Sequence, residues 1–75
     1  MTTWEVWDGT SGNCIGVYRT KRAALEGVAD AAAREPRAAS SLGLIRSRSD
    51  EDQRLVASGQ ELLVLVGQAQ AAVPA

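Results

Sequence analysis

The chain reads as an α+β protein of two layers, a four-stranded antiparallel sheet with two helices on one face, in the order ββαββα. Three features predict this. The first is repetition. Trp4 to Thr20 and Leu42 to Ser58 are stretches of equal length at an offset of 38 residues (42 − 4). That offset lays Trp4 on Leu42, Val6 on Leu44, Trp7 on Ile45, Val17 on Leu55, Tyr18 on Val56, Thr20 on Ser58, Leu25 on Leu63 and Val28 on Val66. A pattern matched over a whole unit signals a repeated supersecondary structure. The second is alternation of apolar and polar residues either side of a polar turn, the period of two that a half-buried strand needs. The third is a change to helical spacing behind a capping residue, once in each unit. One domain, residues 1–75, is expected, with units at 3–35 and 41–72.

Thr3 to Trp7 reads as a strand, with Trp4 and Val6 on one side and Glu5 on the other. Asp8-Gly9-Thr10-Ser11-Gly12-Asn13 supplies the turn, since glycine and asparagine accept positive φ at little cost. Cys14 to Arg19 returns as the second strand, with Ile15 and Val17 facing one way and Cys14, Gly16 and Tyr18 the other. Thr20 is a good N-cap for a helix whose apolar stripe is Ala24, Leu25, Val28, Ala31 and Ala32. Pro36 cannot continue the hydrogen-bond ladder, so the helix should end near Arg34 and Ala38 to Ser41 should be loop.

The second unit repeats the plan. Leu42, Leu44 and Arg46 alternate with Gly43 and Ile45, Ser47 to Asp52 is a polar turn region, and Arg54 to Ala57 pairs back. Leu62 to Val66 is five consecutive apolar residues, which suit a buried strand as well as a helix. The capping-box pattern Ser58-Gly59-Gln60-Glu61, the repeat register and the following Gly-Gln-Ala-Gln-Ala-Ala favour a helix from Gly59 to about Gln70. Val73 to Ala75 should fray.

With both helices on one side, the core should take Trp4, Val6, Ile15, Val17, Leu42, Leu44 and Leu55 against Leu25, Val28, Leu62, Leu63 and Val66. The opposite sheet face is then expected to carry Trp7, Cys14, Tyr18, Ile45 and Val56, with Glu5, Gly16, Gly43 and Arg54 between them. A face that meets only water does not gather two aromatics and three other apolar residues. Exposed apolar areas beyond a few hundred Å² tend to mark interaction sites, and aromatics there act as anchors. The bland reading is a covering helix, or a stabilising Trp7–Tyr18 cross-strand pair.

Composition narrows the function classes. A chain of 75 residues buries only about 60% of the surface its unfolded form exposes, so outside help is expected from a disulfide, a metal or a second subunit. One cysteine, Cys14, excludes an internal disulfide, and one cysteine without any histidine removes the common zinc sites. No cofactor is expected, and oligomerisation is the option left. A net charge of −1 argues against a dedicated nucleic-acid binder, and a hydrophobic fraction of 45% fits a folded protein. Residues 1–20 lack the basic start and apolar run of a signal peptide, and Leu62 to Val66 is too short to span a bilayer. A cytoplasmic protein is expected, with no membrane partner.

No residue group specifies catalysis. Cys14 has no histidine base anywhere in the chain, and an apolar strand position raises a thiol pKa. The acidic run Ser49-Asp50-Glu51-Asp52 lacks the spaced oxygen ligands and glycine of a calcium loop, so no metal is expected there. Gly9-Thr10-Ser11-Gly12-Asn13 joins two antiparallel strands and opens no helix, which removes the dipole a phosphate loop uses. Arg34, Arg37, Arg46 and Arg48 form a second candidate site, because arginines beside an aromatic sheet face suit single-stranded nucleic acid.

The hairpin leading into Thr20-Lys21-Arg22-Ala23-Ala24-Leu25 resembles small bacterial ββα modules of antitoxin-like and accessory proteins, in which a Thr-x-x-x-Ala-Leu helix start follows a hairpin. The resemblance covers about a third of the chain, and the ribbon-type DNA-binding segment of such antitoxins has no counterpart here. The runner-up function is a nucleic-acid-associated accessory or antitoxin-like regulatory protein using the arginine cluster Arg34, Arg37, Arg46 and Arg48. The reading taken from the residues themselves is a non-catalytic interaction module, homodimerising or binding a partner protein through the face around Trp7 and Tyr18. A small-molecule sensor at a dimer interface is the third class.

Overall fold

The computed structural model describes residues 2–71, so the expectations for residue 72 and for Val73 to Ala75 lie outside the described residues. Its elements run β1 (Thr3–Asp8), β2 (Asn13–Tyr18), α1 (Lys21–Arg34), a 3-10 helix (Pro36–Ser41), β3 (Leu42–Ser49), β4 (Asp52–Ser58) and α2 (Gly59–Ala71). The order ββαββα is as expected. The predicted loop after Pro36 is instead wound into the 3-10 helix, which proline starts without loss because its first amide would be unsatisfied anyway. Leu62 to Val66 lies within α2.

The four strands form one antiparallel sheet of order β2-β1-β3-β4, leaving β2 and β4 as edges. Thr20 caps α1, its Oγ1 accepting from the Ala23 amide at 3.1 Å. The β1–β2 turn is tied to the start of β3. Gly9 N–H donates to Ser41 O at 2.7 Å, and the Asp8 carboxylate accepts from Thr10 N–H at 2.9 Å, with Ser11 and Ser41 Oγ each at 3.1 Å.

Both helices cover the same sheet face. Val6, Leu42, Leu44 and Ala57 from the strands meet Ala24, Leu25, Val28, Leu62 and Val66 from the helices in one buried cluster, with Trp4, Tyr18 and Leu65 partly buried at its margin. Full burial of a side chain such as Leu44 or Val28 contributes about 1.5–3 kcal/mol.

The repeat is built around a local twofold. In the β1–β3 ladder Val6 pairs with Leu44, Trp4 with Arg46 and Asp8 with Leu42. Val6 and Leu44 are also equivalent at the offset of 38 (44 − 6), so the relation between the units passes between these two buried residues. Each return strand carries a β-bulge at the equivalent place, opposite Val6/Trp7 in the first unit and Leu44/Ile45 in the second. The extra residues are Ile15 and Val56. The return strands are therefore offset by 41 (56 − 15), while the first strands and helices keep 38.

The bulges correct the sequence reading. A bulge inserts one unpaired residue and reverses alternation for everything beyond it. On β2, Val17 lands opposite Glu5 on the open face, 60% exposed, while Gly16 and Tyr18 pair with Val6 and Trp4 on the helix side. On β4, Leu55 lands opposite Ile45 on the open face, 63% exposed, and Ala57 takes its place in the core. Arg54, expected on the open face, pairs with Arg46 on the helix side. Ile15, expected in the core, is 48% exposed. Leu63 lies only half-buried, with Leu62 the inward residue of that turn.

Candidate interaction surface

The sheet face away from the helices presents two adjacent cross-strand rows. One runs Val17, Glu5, Ile45, Leu55, and the next runs Cys14, Trp7, Gly43. Trp7, Cys14 and Ile45 thus occupy the face predicted for them. Tyr18 and Val56 do not, and Val17 and Leu55 stand in their stead. Trp7 and Ile45 are half-buried by their neighbours alone, and Cys14 is an exposed free thiol. Beyond Glu5 the face turns polar at Thr3, Ser47 and Gln53.

Glu5 is the charge in the middle of this surface. Trp7 Nε1 donates to its Oε1 at 3.0 Å, an i to i+2 contact along one face of β1 that satisfies the indole and orients the ring. Gly43, the Cα partner of Trp7, leaves room beside it, and Leu55 Cδ1 reaches to 3.6 Å from where a side chain on Gly43 would begin. Leu55 thus leans over the Gly43 backbone beside Trp7.

Tyr18 is displaced to the helix side for a reason visible in its neighbours. Its ring packs beside Gly16 and Gly27, and a methyl group on Gly16 would come within 2.7 Å of the phenol oxygen. Two glycines make the slot into which the ring fits. The signal was present in the sequence, as Gly16 two residues before Tyr18 and Gly27 on the inner side of the helix, but only a bulge at Ile15 brings them together.

The four arginines are dispersed. Arg34 ends α1 and is ion-paired with Asp30, and Arg37 lies in the 3-10 helix that leads into Leu42. Arg48 is six residues further along β3 than Leu42, about 20 Å at the usual strand rise. It faces Asp52 at 3.8 Å, and Arg54 meets the same carboxylate at 3.8 Å. Arg46 sits beside Trp4 on the helix side, with its Nε buried and without a hydrogen-bond partner. Of the four, Arg46 and Arg48 lie two residues apart on β3 beside Arg54 of β4, while Arg37 precedes the opposite end of that strand.

Among the described residues, no three His, Cys, Asp or Glu side chains converge as metal ligands, and no helix is long and apolar enough to cross a membrane. No family model, curated protein or solved structure matches this chain.

Proposed function

We propose that this protein acts by binding rather than by catalysis, as a homodimer assembled through the open sheet face around Trp7, Val17, Ile45 and Leu55. The observation that carries the reading is the pair Val17 and Leu55, 60% and 63% exposed on the side that no helix covers, flanking Glu5, Trp7 and Ile45. An uncovered sheet face with these residues leaves its apolar side in water unless something sits on it. Charge on the face is sparse, Glu5 being the carboxylate at its centre with Trp7 Nε1 donating to it. Trp7 is the aromatic anchor of such an interface.

Sedimentation equilibrium tests this. Wild type is expected to weigh as a dimer that dissociates on dilution, and Trp7→Ala to raise the dissociation constant by at least about 30-fold, the equivalent of a 2 kcal/mol hot spot. A wild-type monomer at every concentration removes the homodimer.

A further inference from the structure

On the helix side of the sheet the core row is Gly16, Val6, Leu44 and Ala57, and the next row is Tyr18, Trp4, Arg46 and Arg54. That second row ends in two arginines that are Cα partners on neighbouring strands, a like-charge pairing that is unfavourable unless something lies between the charges. Arg48 adds a third guanidinium two residues beyond Arg46, where β3 bulges between Ser47 and Ser49. What the chain itself places among them is one carboxylate. Asp52 stands 3.8 Å from Arg48 Nε and 3.8 Å from Arg54 Nε, too far for a hydrogen bond to either. Arg46 Nε is buried with no acceptor. The side chains of Arg48 and Arg54 are 61% and 74% exposed, so the cluster opens to solvent. Asp50 and Glu51 lie at the exposed tip of the same turn, and among the described residues the ion pairs of Arg48 and Arg54 are both with Asp52.

We propose that Arg46, Arg48 and Arg54 bind a phosphate dianion, either free or carried as a monoester on a small molecule. Three guanidiniums around the single carboxylate of Asp52 leave a surplus of two positive charges, which a dianion matches. Guanidinium is the side chain best suited to the task, because its forked N–H groups donate in pairs to phosphate oxygens. A tetrahedral dianion between Arg46 and Arg54 accepts from both and removes the like-charge conflict across the strands. A phosphodiester carries one charge and matches only half the surplus, so it binds less tightly. Trp4, partly buried beside Arg46, limits water on the β1 side and strengthens the attraction. The site lies on the helix side of the sheet, so it stands apart from the open face and from the dimer proposed there.

The test is an NMR titration of the full chain, labelled with nitrogen-15, by inorganic phosphate and by methyl phosphate at constant low ionic strength and about pH 8, where a monoester carries close to two charges. Dimethyl phosphate is the singly charged comparison. The expected result is saturable shifts of the backbone and Nε–H signals of Arg46, Arg48 and Arg54, with a dissociation constant of order 1 mM for so small a ligand. Tighter binding of methyl phosphate assigns the site to monoesters, and tighter or equal binding of inorganic phosphate assigns it to the free anion. Arg46→Met and Arg54→Gln should each weaken binding about tenfold, and Arg37→Gln, at the other end of β3, should leave it unchanged. Arg54 is solvent-facing, and the ligand-free spectrum of each variant verifies its fold. Absence of saturable shifts with both dianions, an equal response to dimethyl phosphate, or undiminished binding by Arg54→Gln would overturn the proposal.

Discussion

Tyr18 and Asp8 show how single side chains fix this fold. A methyl group at position 27 would overlap the Tyr18 hydroxyl, yet alanine is the better helix former by about 1 kcal/mol. Gly27→Ala should therefore destabilise the wild-type chain by about 1–3 kcal/mol through overpacking, and become stabilising in a Tyr18→Ala background. A denaturant double-mutant cycle reads that change of sign. Asp8 holds the first turn against the 3-10 helix. The Thr10 amide, then the hydroxyls of Ser11 and Ser41, hold its carboxyl below the usual 3.8, outweighing the opposing effect of desolvation. A carboxyl depressed in the folded state stabilises above its unfolded pKa and loses that contribution as pH falls through the folded value. Asp8→Asn should consequently melt below wild type at neutral pH, and the gap should close as the pH drops from about 4 downward.

At the scale of elements, the hairpins and helices were legible and the faces of the return strands were not. Thr20, Pro36 and the spacing from Ala24 to Val28 are local signals, and local signals set where elements start and stop. Val6 and Leu44 could be assigned inward because nothing interrupts alternation from Thr3 to Asp8 on β1 or from Leu42 to Ser47 on β3. Ile15 and Val56 break it on the edges, and neither is a glycine or proline that would mark a bulge. One unpaired residue carried Val17 and Leu55 from the expected core to the open face, and Tyr18 from the open face to the slot at Gly16 and Gly27. The exact repeat offset also misled, since the return strands shift by three relative to the first strands and the helices. Arg46 gives this scale its own prediction. Its buried Nε lacks an acceptor, so the side chain bears a desolvation cost that an unbranched apolar residue would not. Arg46→Met should unfold within about 1 kcal/mol of wild type or be more stable, as read by urea denaturation.

For the whole molecule, the twofold between units places Val6 and Leu44 at its centre, both helices on one side and an uncovered sheet on the other. On the helix side Ala24, Leu25, Val28, Leu62 and Val66 cover the sheet, whereas the other side exposes Val17 and Leu55. Acidic substitutions at those two positions separate the alternatives most directly. Circular dichroism and sedimentation of a Val17→Asp, Leu55→Asp double variant should show native secondary structure and native cooperativity of unfolding in a strictly monomeric chain, beside a dimeric wild type. An unfolded variant would return both residues to the core, and one that still dimerises would place the interface elsewhere.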